Sequence, residues 1–324
     1  MNETLLEVKD LVVEYHTDDE VVHAVNGVSF DLKKGEVLGL VGETGAGKTT
    51  IALSLLQLLP KYVSQIPSGS ITFKGIDIIN ADEETIREIR GKSISMIFQD
   101  PMTALNPVMR VGDQVAEVIR LHEPELNKEQ THEKVESLFK MVGIAPERLK
   151  EYPHQFSGGM KQRVVIAMAI ACNPELLIAD EPTTALDVTI QAQVIKMMRN
   201  LQKELNSAVI LITHDLGVVA NFCSKVAIVY AGEIVECGDL RDIFDRTKKH
   251  HPYTVGLFNS IPDIHSTAKR LQVIPGLMPN PSDLPDGCKF NPRCSCCMEC
   301  CKSGPVPVLQ EGTHQIRCHQ FKEV

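Results

Sequence analysis

Tryptophan is absent from this 324-residue chain, and aromatic side chains of any kind make up only 5% of it. So few aromatics leave little for stacking on exposed bases, and no basic stretch interleaves with them. A cationic surplus is missing too. The 33 Lys and Arg stand against 42 Asp and Glu, a formal net charge of −9, so nucleic acid is not expected as a partner. No apolar run reaches the 18 residues that suggest a bilayer span, and any membrane attachment must come through another protein. The opening Met1-Asn-Glu-Thr-Leu-Leu-Glu lacks the basic-then-apolar layout of a secretory signal, which predicts a cytoplasmic chain. Internal repeats and low-complexity tracts are likewise missing. What is present, 43% hydrophobic and 23% charged residues, suits one large α/β core with smaller pieces attached.

The run Gly42-Glu43-Thr44-Gly45-Ala46-Gly47-Lys48-Thr49 fits the G-x-x-x-x-G-K-[ST] phosphate-loop pattern. Glu36 to Val41 before it reads as a buried strand. Thr50 to Leu59 after it reads as a helix halted by Pro60. A strand, a glycine loop and a helix N-terminus aim successive N–H groups at one point, which makes an anion cradle. Lys48 is expected to reach the β- and γ-phosphates of a nucleotide, and Thr49 to hold Mg²⁺. A glycine-rich turn without a ligand is the bland alternative, and it does not account for both flanks.

Further groups end predicted strands. Leu176 to Ala179 is an apolar strand that delivers Asp180 and Glu181 at its carboxyl end, where parallel sheets bind ligands. Asp180 suits support of Mg²⁺ through water, and Glu181 suits a general base towards the water that attacks the γ-phosphate. Ser93 to Phe98 ends at Gln99, a neutral group fit to touch both Mg²⁺ and that water. Ala208 to Thr213 ends at His214, whose imidazole suits a γ-phosphate contact. Downstream, Phe156-Ser157-Gly158-Gly159-Met160 opens an apolar helix predicted over 160–172. Ser157 is a favourable N-cap, and two glycines let an anion approach the helix N–H groups closely.

Taken together these runs resemble the ATP-binding subunit of an ABC transporter. The resemblance makes Gly42 to Thr49 the Walker A loop, Asp180 and Glu181 the Walker B pair, Gln99 the Q-loop residue and His214 the switch histidine. It makes Ser157, Gly158 and Gly159 the signature and Ala185-Leu186-Asp187 the D-loop. Contacts to nucleotide are thereby implied for Gly42, Thr44, Gly45, Ala46, Gly47, Lys48, Thr49, Thr50, Asp180, Ser157, Gly158, Gly159 and Asp187, with Tyr15 stacking on adenine. The implied fold is α/β: a RecA-like core, an antiparallel β-subdomain and a helical subdomain inserted at about 100–172. In this family the signature of one subunit completes the ATP site of a second, so ATP joins two chains. Asp100 to Pro107, directly after Gln99, is the expected permease-docking surface, with Leu105 in its middle.

Beyond His250 the chain changes character. Pro252, Pro262, Pro275, Pro279, Pro281, Pro285, Pro292, Pro305 and Pro307 leave little room for helix or central strand. Seven of the ten cysteines fall here: Cys288, Cys294, Cys296, Cys297, Cys300, Cys301 and Cys318. In a cytoplasmic chain a metal or cluster is favoured over disulfides. Cys172, Cys223 and Cys237 fall in core elements and read as plain buried thiols. His251-Pro252-Tyr253-Thr254, Ile274-Pro275-Gly276 and Gly287-Cys288 through Arg293-Cys294 resemble the C-terminal extension of oligopeptide and dipeptide importer ATPases. That resemblance implies a [4Fe-4S] cluster on Cys288, Cys294, Cys301 and Cys318, with zinc as the alternative occupant and Cys297 or Cys300 as substitute third ligands. Residues 1–250 then form the ATPase domain and 251–324 the extension.

The implied role is to power peptide import at the cytoplasmic face of the inner membrane, as a peripheral subunit. Implied partners are two transmembrane permease subunits, a second related ATPase chain and, indirectly, a solute-binding protein. An ABC ATPase of translation or DNA repair would share the motifs but add a second cassette, coiled coils or zinc inserts. An iron–sulfur redox protein would need further electron carriers. Neither set of additions is present.

Overall fold

The computed structural model describes residues 4–184, 186–261 and 273–321. Its strands are β1 (Thr4–His16), β2 (Val21–Lys33), β3 (Val37–Val41), β4 (Ser64–Phe73), β5 (Ile76–Asp77), β6 (Ile94–Ile97), β7 (Leu176–Asp180), β8 (Ala208–Thr213), β9 (Lys225–Tyr230), β10 (Glu233–Asp239), β11 (Val308–Glu311) and β12 (His314–Arg317). Its helices are α1 (Lys48–Ser54), α2 (Glu83–Ile89), α3 (Pro101–Ala104), α4 (Val111–His122), α5 (Lys128–Met141), α6 (Gly158–Ile170), α7 (Val188–Leu205), α8 (Leu216–Phe222), α9 (Leu240–Phe244) and α10 (Pro252–Asn259). Ala185 of the expected D-loop and Pro262 lie outside the described residues. The described residues cluster into two compact units.

One unit holds residues 6–31, 38–73 and 213–321. Strands β1 and β4 pair antiparallel from Leu6↔Phe73 to Tyr15↔Ser64, with register shifts around Asp10 and Leu11. Asp10 carries a positive φ of 46°, the irregularity that lets β1 run on for 13 residues where several short strands are expected. Strand β3 is buried at all five positions and pairs parallel with β9 from Leu38↔Lys225 to Val41↔Ile228. Hydrogen bonding then runs β9 to β10, β10 to β12 and β12 to β11, all antiparallel. The last two strands belong to the tail. Residues 308–318 are free of proline, so this stretch can join a sheet, and Leu309, Ile316 and Cys318 bury a small core of their own with Phe321. Helix α10 also forms despite Pro252, because proline at the first helical position forgoes an N–H that has no intrahelical partner.

The other unit holds residues 4–5, 32–37 and 74–212. Here β6, β7 and β8 are parallel, registered Ile94↔Leu176 and Leu176↔Ala208, and β7 and β8 are buried throughout. Continuous burial is what a parallel sheet covered on both faces requires. Between β6 and β7 the chain is helical. Helix α4 packs on α5 and α6, and α5 opens with a capping box in which Asn127 and Gln130 exchange hydrogen bonds. Leu105 is buried at 4% exposure, while Val108 is 82% exposed and Phe98 47%. Of the apolar side chains in and beside this segment, Phe98 and Val108 are therefore open to a partner and Leu105 is not.

Candidate functional site

The phosphate loop follows β3 in the first unit. Lys48 donates from Nζ to the carbonyls of Gly42 and Glu43, both at 2.8 Å, which folds the loop around its ammonium. Only glycine fits at Gly47, because φ is 95° and a Cβ would strike the Ala24 carbonyl. The loop is pinned behind by the Gly232 N–H to the Ala46 carbonyl at 3.0 Å and the Asn26 N–H to the Gly232 carbonyl at 2.8 Å. Helix α1 is shorter than the sequence predicts, ending at Ser54, with Gln57 turned to φ 49°. Tyr15 donates its hydroxyl to Thr50 Oγ1 at 3.2 Å, which sets the ring beside the loop's helix. His214 follows β8 in this unit, before the α8 N-cap formed by Asp215.

The carboxylates lie in the other unit. Asp180 ends β7 at 3% exposure. Glu181 follows with φ 45°, a left-handed conformation that costs a non-glycine residue about 1–3 kcal/mol and that clusters at functional sites. Its N–H donates to Ile212 O at 2.9 Å, which fixes this turn to β8. Gln99 Nε2 donates to Glu181 Oε2 at 3.1 Å, so two residues 82 positions apart meet as the strand-end argument expects. Thr184 Oγ1 also donates to that oxygen, at 2.9 Å. Thr184 escaped the sequence reading; its only signal is the three-residue spacing from Glu181.

Ser157 occupies the α6 N-cap with extended backbone, yet makes no side-chain capping bond. Gly159 sits against Ile190, which a Cβ there would strike, and Gly158 faces Leu186. Asp187 caps α7 by accepting the Ile190 N–H at 2.9 Å. Signature and D-loop therefore meet within this unit.

In the tail all seven cysteines are free thiols. Cys301 and Cys318 are buried, Cys288 and Cys294 half-buried, and Cys296, Cys297 and Cys300 exposed. Burial pushes the Cys288 thiol up to about 12 and Cys294 to about 11; Cys288 feels the charges of Cys318, Cys301 and Cys294, and Cys294 those of Cys296, Cys318 and Cys297. Of the three thiols outside the tail, Cys223 and Cys237 are buried as expected, whereas Cys172 lies half-exposed in the turn after α6. A second cluster, Glu236 with His250 and His314, is buried in β10, β12 and the turn before α10. Glu236 Oε1 takes His250 Nδ1 at 2.6 Å and His314 Nε2 at 2.8 Å, and Oε2 accepts the His251 N–H at 2.8 Å. Burial alone would raise the Glu236 pKa; those hydrogen bonds outweigh it and leave it at about 2.

A sequence model described as "ABC transporter" matches residues 25–184, and one described as "Oligopeptide/dipeptide transporter, C-terminal region" matches 235–301. The oligopeptide transport ATP-binding protein OppD of Salmonella typhimurium is 50% identical over 302 residues, covering 93% of this chain and 89% of its own. The dipeptide transport ATP-binding protein DppD of Bacillus subtilis is 47% identical over 319 residues, covering 98% and 94%. This chain belongs to the ABC transporter ATP-binding proteins of the oligopeptide/dipeptide class. Among solved structures, the dimeric ATP-binding cassette MJ0796 bound to ADP and phosphate aligns with a TM-score of 0.65 at 26% identity, over 73% of this chain and 99% of that one. The cbiO1 subunit of Clostridium perfringens aligns equally well at 30% identity, over 76% and 92%. The ABC ATPase is thus an ATP hydrolase with the cassette fold, working with Mg²⁺ and with permeases. Among the described residues no helix is long and apolar enough to cross a membrane.

Proposed function

We propose that this ABC ATPase powers import of peptides, from a peripheral position on the cytoplasmic face of the inner membrane. What supports the reading most is that both halves of its signal occur on one chain: the cassette motifs and the peptide-class extension. Residues 1–250 serve as the ATPase domain and 251–324 as the extension. Gly42 to Thr50 hold the phosphates through backbone N–H groups and Lys48, while Tyr15 stacks on the base. The hydroxyl of Thr49 and the carboxamide oxygen of Gln99 are oxygen donors of the kind a hard cation takes and would hold Mg²⁺, with Asp180 supporting it through water; the ion when bound neutralises phosphate charge. Glu181 accepts the proton of the attacking water, its carboxylate oriented by Gln99 and Thr184. His214 contacts the γ-phosphate. Ser157, Gly158, Gly159 and Asp187 act towards the nucleotide of a second ATPase chain, which we take to be a related but different subunit, and a solute-binding protein delivers the peptide outside.

For the tail we propose a [4Fe-4S] cluster on Cys288, Cys294, Cys301 and Cys318. Free thiols in which Cys288 feels Cys294, Cys301 and Cys318, with no disulfide among the described cysteines, fit such a group. Zinc, which takes the same number of thiolates in tetrahedral geometry, is the alternative occupant. The function is tested in proteoliposomes that contain the chain with its permeases and second ATPase. ATP-driven uptake of labelled di- or oligopeptide, lost with Lys48→Ala, is the expected result; ATP turnover that no peptide and binding protein stimulate would overturn it.

A further inference from the structure

Glu43, the second residue of the phosphate loop, is tied down at three points. Its carbonyl accepts Lys48 Nζ at 2.8 Å, inside the loop itself. The other two ties come from the tail. Its N–H donates to the Tyr253 hydroxyl at 3.0 Å, and its carboxylate takes Arg293 Nη1 at 3.0 and 3.2 Å. Arg293 is itself only 8% exposed and is anchored from behind, Nε donating to Pro275 O at 2.9 Å and Nη1 reaching the Tyr230 hydroxyl at 3.4 Å. The rings of Tyr230, Tyr253 and Phe290 pack on one another with centroids 4.7 to 5.4 Å apart, and the guanidinium carbon lies 5.8 Å from the Tyr230 ring and 6.0 Å from that of Phe290. Met278, also of the tail, lies against Gly45.

The chemistry of the loop makes this grip consequential. A cradle for a multiply charged anion contains a carboxylate of its own, and an unneutralised Glu43 would oppose the ligand that the backbone N–H groups attract. The Lys48 ammonium is directed at the carbonyls of Gly42 and Glu43, and the Glu43 carboxylate forms its ion pair with Arg293 at 3.0 Å. Arg293 offsets that charge. We infer that Arg293 is a positioning residue for the nucleotide: by neutralising and orienting Glu43 it makes the phosphate loop competent for ATP, so that the tail as well as the cassette sets nucleotide affinity. The inference rests on the reading of Gly42 to Thr49 as the ATP cradle. It does not depend on what the cysteines hold.

The test uses the full chain, with a fluorescent ATP analogue for binding, steady-state hydrolysis for KM and kcat, and thermal unfolding for integrity. Arg293→Ala is expected to weaken binding about tenfold, about 1.4 kcal/mol, and to raise KM while kcat stays within about twofold. The double variant Arg293→Ala with Glu43→Gln, which deletes the uncompensated charge, is expected to recover to within about threefold of the native affinity. Leu309→Ala, which loosens the small core of the β11–β12 hairpin, separates grip from mere tail stability and is expected to lower the melting temperature with affinity kept. Native affinity in a folded Arg293→Ala, a double variant as weak as the single one, or an equal loss in Leu309→Ala would each overturn the inference. A Lys48→Ala chain that binds ATP as the native chain does would instead overturn the cradle reading.

Discussion

Glu181 shows what a single residue is asked to do. A glutamate held at φ 45° is maintained by its surroundings: the turn is tied to Ile212, and Gln99 and Thr184 converge on one carboxylate oxygen. Exchanging that carboxylate for an amide keeps the shape and removes the base. Glu181→Gln is therefore expected to lower kcat by at least about 10²-fold, the lower end for loss of a positioned general base, while ATP binding measured by equilibrium titration stays native. Thr184→Val removes an orienting donor and is expected to lower kcat a few-fold with KM unchanged. Unchanged turnover in Glu181→Gln would sink its assignment as base. The meeting of Gln99 with Glu181 was legible in the sequence, because each ends an apolar strand and parallel strands present their carboxyl ends on one edge. The Arg293–Glu43 pair was not. Its partners are 250 residues apart, and neither local periodicity nor a motif links a tail arginine to the phosphate loop.

Among the elements, the strands and helices with strong periodicity were legible, and the tail was misjudged for a physical reason. Proline counts predict irregular chain, but they say nothing of the proline-free stretch 308–318, which pairs with β10. Burial of Leu105 was equally hidden, since a turn-rich segment has no period from which to tell an inward leucine from an outward one. Leu105→Asp is accordingly expected to lower the melting temperature by burying an unpaired charge, whereas Val108→Asp keeps the fold and weakens coupling of hydrolysis to peptide uptake in proteoliposomes. Normal coupling in Val108→Asp would move the permease surface elsewhere. Helix α10 supplies a pH test. Its N-cap is His251, whose Nδ1 accepts the Tyr253 N–H at 3.1 Å and is therefore unprotonated, and burial pulls its pKa down to about 4. Between pH 6.5 and 4 the unfolded chain takes up a proton that the folded chain refuses, so stability falls as pH falls. His250 has a raised pKa through its hydrogen bond to Glu236; its contribution is fully present below pH 6.5 and is flat in that window. Glu236, held at about 2, loses its contribution only below about pH 4.5. Thermal unfolding from pH 7 to 4.5 is thus expected to show a decline that His251→Asn, which keeps a capping acceptor and cannot titrate, largely removes.

For the whole molecule, the question is what makes one compact unit of a phosphate loop and a tail that starts 200 residues later. Part of the answer is ordinary packing: β12 extends the sheet that carries β3, His23 donates its N–H to Pro281 O at 2.9 Å, and Glu236 takes a histidine from β12 and one from the segment before α10. The rest falls to the cysteines, because the stretch from Cys288 to Cys301 holds only short 3₁₀ turns and few buried apolar side chains. Tying Cys288, Cys294, Cys301 and Cys318 to one centre would join that stretch to the end of β12, replacing a core it lacks. Since burial holds Cys288 and Cys294 as neutral thiols well past pH 7, loading must release protons, and occupancy is expected to fall as the pH of reconstitution is lowered. Protein purified without oxygen is expected to be brown and to carry about four irons per chain. Cys318→Ser is expected to lose the colour and several degrees of melting temperature, while Cys296→Ser, an exposed thiol outside the proposed set, keeps both. Colourless anaerobic protein with one zinc per chain would overturn the cluster, and the ATPase reading would stand without it.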